Sequence, residues 1–195
     1  MRPAIKSALI GGALVVAAGV LALLMFVRVT GLSAQPEPGS AEAAAARTLR
    51  GWAIPDAYRG RENPVAPSGE SVRVGLEHYA DHCAVCHGND GSGDTDFGGG
   101  LFPRPPDLRL ADTQQMTDGE LFYVIEHGVR FTGMPAFGTG TAEGEEESWH
   151  LVNFIRQLPA LTPAQLAEMA ELNPKPPAEI RQQIEEERFL SGETP

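Results

Sequence analysis

Two cysteines three positions apart, with a histidine directly after the second, are the residues of this chain best suited to chemistry: Cys83, Cys86 and His87. In such a run each cysteine sulfur can form a thioether with one vinyl group of a haem, and the histidine can bind the iron. This spacing is the attachment signature of c-type haem. We therefore expect one covalently bound haem c, with Cys83 and Cys86 as tethers and His87 as the proximal iron ligand.

Other sites also contain a C-x-x-C pair, namely thioredoxin-like redox centres, zinc sites and short disulfides. A structural zinc site needs four ligands, but the sequence has only two cysteines, and His127 and His150 are too far apart to form an H-x-x-x-H pair. A thioredoxin-like centre requires strand and helix patterning, whereas the flanks here predict a helix before the pair and a glycine-rich loop after it. Haem attachment is the interpretation that these flanks favour.

The N-terminal region, residues 1–28, contains an uncharged stretch of 21 residues from Ser7 to Val27. A helix of about 20 residues spans the hydrocarbon core of a bilayer, and the apolar region of a cleaved signal is usually shorter, about 7–15 residues. We therefore predict an uncleaved transmembrane anchor, with a signal sequence as the alternative. Arg2 and Lys6 precede the stretch, so the positive-inside rule places the chain after Arg28 outside the cytoplasm.

Residues 29–67 are rich in proline and alanine and predict a linker. Its aromatic and aliphatic residues Trp52, Ile54 and Tyr58 are unusual for a tether, and they are expected to rest on the folded domain or on the membrane surface.

Three helices are predicted in the region 68–160. The first begins at Ser68, a good N-cap, and runs into the haem motif with Gly75 on its apolar face, where a glycine suggests close approach of another helix. The second is predicted by the capping-box pattern from Thr117 to Glu120. The third covers residues 149–158, whose apolar positions repeat at helical spacing.

Residues 68–160 resemble a class I monohaem cytochrome c. The resemblance rests on the frame Gly75, Tyr79, Cys83, Cys86 and His87, on Leu151 and Phe154 in the last helix, and on the loop 133–137 (GMPAF). It implies an all-α fold of about three core helices with long loops around one haem. It also implies that the haem is attached on the periplasmic side of the bacterial inner membrane, in agreement with the predicted anchor.

The resemblance further implies that Met134 is the sixth iron ligand. Its glycine and proline neighbours do not suit a helix interior, and a thioether is a soft ligand that raises the potential of haem iron. Met116 and the histidines outside the motif are the competing candidates, and bis-histidine ligation is the alternative. The resemblance also implies that a proline carbonyl supports the second ring nitrogen of His87, and Pro103, Pro105 and Pro106 are the candidates.

Beyond the domain, residues 161–195 predict a short helical extension, either a clasp on the haem domain or a docking segment. After Arg28 the chain carries 26 acidic and 12 basic residues, which disfavours nucleic-acid binding and favours a redox partner with a basic docking face.

These features predict a membrane-anchored c-type cytochrome that carries one electron at a time and is not an enzyme. One alternative is a haem-bearing relay subunit of a larger respiratory oxidoreductase. Another is a haem enzyme or gas sensor with an open iron site.

Overall fold

The computed structural model describes residues 3–191, and at residues 3–6 and 8 it describes only the backbone. All regular elements in this range are helical, which confirms the predicted all-α fold. The α-helices are α1 (Pro3–Thr30), α2 (Ser40–Ala53), α3 (Asp56–Arg59), α4 (Gly69–His78), α5 (Ala84–His87), α6 (Ala111–Gln114), α7 (Asp118–His127), α8 (Ala142–Gln157), α9 (Pro163–Leu172) and α10 (Pro177–Ser191). A π-helical turn covers Tyr79–Cys83, and short 3-10 helices cover Gly98–Gly100 and Leu158–Ala160.

The chain divides into two compact units, one ending at Pro36 and the other beginning at Glu37. The first unit contains α1, in which Leu9–Thr30 is long and apolar enough to cross a membrane, with a mean hydropathy of 2.6. A signal sequence near the N-terminus passes the same test of length and composition, so the anchor stays a prediction. The predicted boundaries at residues 28, 67 and 160 likewise stay predictions.

The core of the second unit lies mainly between α4, α7 and α8, and the π-helical turn and α9 add the fully buried side chains of Tyr79 and Met169. Ser68 and Thr117 form the predicted N-caps of α4 and α7, and at Thr117 both halves of the capping box are present. The third helix begins earlier than predicted, because the Thr141 side chain caps it at Gly144. Gly75 lies where α4 meets α8, as the sequence suggested, and a Cβ at this position would press against the His150 carbonyl group.

Within the predicted linker, residues 40–53 form α2, and the chain packs against the second unit from Ile54 onward. Ile54 is buried, the ring of Tyr58 stacks on Phe122, and Asn63 donates a hydrogen bond to the Trp149 carbonyl at 3.1 Å. Trp52, by contrast, is 80% exposed. Alanine has the highest helix propensity, so the alanine run in this segment was a helix signal that its prolines obscured.

The C-terminal extension contains two helices with different packing. Helix α9 begins with a capping box between Thr162 and Gln165 and buries Met169 completely against the core. Helix α10 buries none of its residues. The clasp interpretation therefore describes α9 but not α10.

Candidate haem site

The haem-attachment motif lies at the end of an interrupted helix. Helix α4 ends at His78, the π-helical turn runs through Cys83, and α5 places Cys86 and His87 on the following turn. A π turn holds one more residue than an α turn, so it rotates the motif relative to the apolar face of α4. The sequence predicted one continuous helix here, because helical periodicity does not reveal a single inserted residue. Gly88, with φ of 73°, ends α5.

The glycine-rich loop after the motif packs against the backbone of the motif itself. Gly93 has φ of 75° and donates a hydrogen bond to the His87 carbonyl at 2.8 Å. The Thr95 hydroxyl donates to the Val85 carbonyl at 2.9 Å and lies 3.2 Å from the Cys86 carbonyl oxygen. A Cβ at Gly93 would collide with the Pro105 carbonyl. The loop can therefore hold the proline segment close to His87 only because a glycine stands at this position.

His87 is held as a largely buried, neutral imidazole. Burial lowers its pKa, and the backbone of Pro106 opposes this shift by favouring the protonated ring. Pro106 is thus the proline, among the three candidates, whose carbonyl acts on the ring. The Nδ1 atom is buried and, among residues 3–191, has no partner at hydrogen-bond geometry. A neutral imidazole is the form in which histidine binds a metal.

Met134 is held by a loop that is fastened to the C-terminal end of α7. The Met134 amide donates to the Thr132 hydroxyl at 3.1 Å, and that hydroxyl donates to the Val129 carbonyl at 2.7 Å. The Val129 amide in turn donates to the Met134 carbonyl at 3.1 Å, and Phe137 donates to the carbonyl of Ile125 in α7. The backbone around the thioether is therefore fixed from both sides by residues within the loop and by α7.

One cavity of about 440 Å³ brings all four predicted site residues together, since Cys83, Cys86, His87 and Met134 all line it. Its apolar wall includes Leu101, Leu108, Leu121, Ile125, Leu151 and Ile155. This volume lies in the usual range of cofactor pockets, roughly 300–1,000 Å³. Two thiols, an imidazole and a thioether around an apolar cavity fit a covalently attached haem. The roles of the four residues as tethers and ligands stay predictions.

The two thiols of the site are free and differ in burial. Burial raises the pKa of Cys83 to about 12, and the neighbouring Cys86 adds to this shift. Burial also raises the pKa of Cys86, which is the more accessible of the two. Both thiols are therefore protonated at neutral pH.

The competing ligand candidates lie in several places. Met116 and His82 line the cavity as well, so each is near the site. The His127 ring lies 3.3 Å from the Tyr58 hydroxyl. The His150 ring lies 2.9 Å from the Ser71 hydroxyl, where α8 meets α4. Helical spacing alone could not place it there, because Gly75 lets the two helices approach closely.

Arg50 and Arg104 are charged residues of the site that no sequence motif indicated, and both line the cavity. Arg104 lies within the proline segment 103–106, so its position in the sequence could have indicated that it lies near the site. Arg50 belongs to α2, inside the predicted linker, and no local pattern connects it with the motif.

Comparison with known proteins gives three similarities. Residues 70–155 match the family described as cytochrome C oxidase, cbb3-type, subunit III. The chain is 31% identical over 101 residues to thiosulfate dehydrogenase of Stutzerimonas stutzeri (strain A1501), in an alignment that covers 49% of this chain and 31% of that relative. A chain of the Kuenenia stuttgartiensis reducing HAO-like protein complex is 22% identical, with a TM-score of 0.44 over 49% of this chain and 46% of that one.

The chain spans roughly a third of the length of the curated relative that it matches. The family match covers the haem-attachment motif and Met134, and it stops within α8. Together with the four-residue cavity, it supports a c-type cytochrome domain over residues 70–155, with haem as its cofactor.

Proposed function

We propose that this chain is a membrane-anchored monohaem c-type cytochrome that carries single electrons. The observation that carries this proposal is the placement of Cys83, Cys86, His87 and Met134 around one apolar cavity. The bound haem supplies the one-electron chemistry of its iron. Cys83 and Cys86 would hold the haem covalently, and His87 and Met134 would supply the two protein ligands of its iron.

The protein's own contribution is to set the potential and to limit access. The thioether of Met134 favours the reduced iron, and the apolar wall lowers the local dielectric. A six-coordinate iron leaves no open position for a small-molecule substrate, and for this reason we propose a carrier rather than an enzyme. The fastened loop from Val129 to Met134 keeps the sixth ligand in place during the change of oxidation state.

The first experiment is the optical spectrum of the purified protein, oxidised and reduced, with and without carbon monoxide. We expect the weak near-infrared charge-transfer band of a methionine sulfur on ferric haem, and no carbon monoxide binding by the reduced protein. An absent band together with carbon monoxide binding would instead support the haem enzyme or gas sensor with an open site.

Two methionines at the same cavity make the ligand assignment testable with a matched control. Met134→Ala should lower the reduction potential and remove the near-infrared band, whereas Met116→Ala should leave the band unchanged. If Met116→Ala removes the band and Met134→Ala does not, the ligand is Met116. Cys83→Ser should leave a single thioether, and two intact thioethers in this variant would refute the tether assignment.

The location that we propose is the bacterial inner membrane, with α1 as a single-pass anchor and the haem domain on the periplasmic side. The acidic balance after Arg28 favours a redox partner with a basic docking face. Salt should therefore slow electron transfer to that partner, because long-range steering is screened.

A second candidate function is that of a haem-bearing relay subunit, and the similarity to a thiosulfate dehydrogenase over part of that protein's length favours it. Isolation in mild detergent separates the two: stable co-purification of an oxidoreductase supports a relay subunit, and a lone monomer supports a free carrier. Catalytic reduction of the haem by added thiosulfate would contradict the absence of enzyme activity that we propose.

A further inference from the structure

Helix α2, Ser40–Ala53, lies outside the matched region and makes few contacts with the rest of the second unit. It buries none of its residues. Arg47 forms an ion pair with Asp112 at 3.6 Å, and the Gly51 carbonyl accepts a hydrogen bond from Arg59. A helix of 14 residues is marginal in water on its own. A further contact is therefore needed to hold it in position, and Arg50 is the residue of α2 that lines the haem cavity.

Arg50 is half-buried at this cavity, and within residues 3–191 its guanidinium has neither a hydrogen bond nor an ion pair. The guanidinium has five N–H donors, and a partly desolvated cation is costly without an anion. Arg104, which lines the same cavity, is paired with Glu37 at 3.0 Å. No carboxylate of the described residues lines the cavity, so the protein itself offers Arg50 no anion there.

A haem supplies the missing anion, since it carries two propionate carboxylates at one edge of an otherwise apolar ring. An arginine guanidinium matches a carboxylate with two parallel hydrogen bonds. We propose that Arg50 binds a haem propionate and thereby fastens α2 to the edge of the haem. This inference rests on the proposed haem c.

Two measurable consequences follow from this contact. Helix α2 should be protected from hydrogen exchange in the holoprotein, because the haem provides the contact that the protein core does not. The cation of Arg50 should also raise the reduction potential, since a positive charge near the haem favours the state in which the iron carries less positive charge. Arg50 is thus a positioning and tuning residue, and it stands before the matched domain.

The test compares Arg50→Gln with Arg47→Gln in the full-length holoprotein. Arg47 is the matched control, since it lies on the same helix in an ion pair whose side chains are 52% and 67% exposed. In Arg50→Gln we expect a lower reduction potential and hydrogen exchange roughly fivefold faster across α2, the size of effect expected for losing one partly exposed charge pair. Arg47→Gln should leave the potential unchanged, and Arg50→Lys should restore most of it, because it keeps the charge.

The outcomes separate this inference from the proposed function. If the wild-type protein carries covalent haem and Arg50→Gln leaves the potential and the exchange of α2 unchanged, only the role of Arg50 is refuted. An equal drop in potential in Arg47→Gln would also refute it, because the effect would then follow the charge of the helix and not a contact at the cavity. If the wild-type protein carries no covalent haem, both proposals are refuted.

Discussion

Replacing Gly75 with alanine tests whether the close contact between α4 and α8 depends on this one residue. A Cβ at Gly75 would lie 2.8 Å from the carbonyl carbon of His150 and 2.8 Å from Cβ of Phe154, and it would press on the His150 oxygen. These are atoms of α8 that no rotamer change can move away. Carbon atoms prefer a separation of about 3.5 Å or more, and the His150 oxygen is nearer still, so α4 and α8 would have to move apart by at least about 0.7 Å.

The expected magnitude follows from two opposing effects. Overpacking of a well-packed core costs about 1–3 kcal/mol, and the upper end applies here because backbone must move and the contact between the Tyr79 and Phe154 rings, at 5.0 Å, would loosen. Alanine in place of glycine inside a helix contributes about 1 kcal/mol in the other direction. The net effect should be a loss of about 2 kcal/mol in the free energy of unfolding.

Denaturant unfolding of the holoprotein, followed by far-UV circular dichroism, measures this loss as a shift in the midpoint at unchanged slope. Gly69→Ala is the matched control, because Gly69 is the first residue of the same helix and a Cβ there meets nothing within 4 Å. We expect the control to be neutral or slightly more stable. Equal stability of Gly69→Ala and Gly75→Ala would refute the argument that the two backbones limit each other here.

Three further predictions concern the site loop, the clasp and pH. Thr132→Val removes the hydroxyl that fastens the loop, so it should cost about 1–2 kcal/mol in the free energy of unfolding and weaken the near-infrared band assigned to Met134. Thr132→Ser should preserve both the stability and the band. An unaffected band in Thr132→Val would contradict the role of the loop. Met169→Ala should cost about 2–5 kcal/mol in denaturant unfolding because Met169 is fully buried, and Leu172→Ala, at a 39% exposed position of the same helix, should cost less. Burial lowers the pKa of His78, so the unfolded chain binds more protons than the folded one below the ordinary value of about 6.5. Stability should therefore fall as pH drops through this value, and His78→Gln should flatten that part of the stability profile; a profile of unchanged shape would rule out His78 as its source.

The features that could be predicted from the sequence are those that depend on short-range patterns. The haem-attachment motif, the N-cap at Ser68 and the capping box at Thr117 each involve residues within four positions of one another. Gly75 indicated a long-range contact, because a glycine on the apolar face of a helix weakens that helix unless another backbone packs closely against it.

The features that could not be predicted depend on residues distant in the chain. The sequence left open whether Ile54 rests on the folded domain or on the membrane surface, and the structure buries it. Met169 is buried in a core made chiefly of residues from α4, α7 and α8, so its burial does not follow from the local periodicity of α9. The π turn before Cys83 was missed because one inserted residue barely changes a helical pattern. The approach of Arg50 to the cavity depends on the path of a segment whose composition indicated only a linker.

The two proposed axial ligands are positioned by different parts of the chain. His87 follows the two attachment cysteines directly, so its place is fixed within the motif. Met134 depends on the loop fastened to α7, and α7 is in turn held by Arg156, which bonds Asp118 at 2.7 Å.

Helix α7 also receives the segment that precedes the matched domain. The ring of Tyr58 stacks on Phe122, Arg59 pairs with Glu120 at 3.2 Å, and a Cβ at Gly119 would collide with the Tyr58 carbonyl. A displacement of this segment therefore moves α7, and with α7 the loop that presents Met134. The residues before the matched region are thus placed to act on the Met134 loop through α7, and the proposed contact of Arg50 with the haem would be a second route.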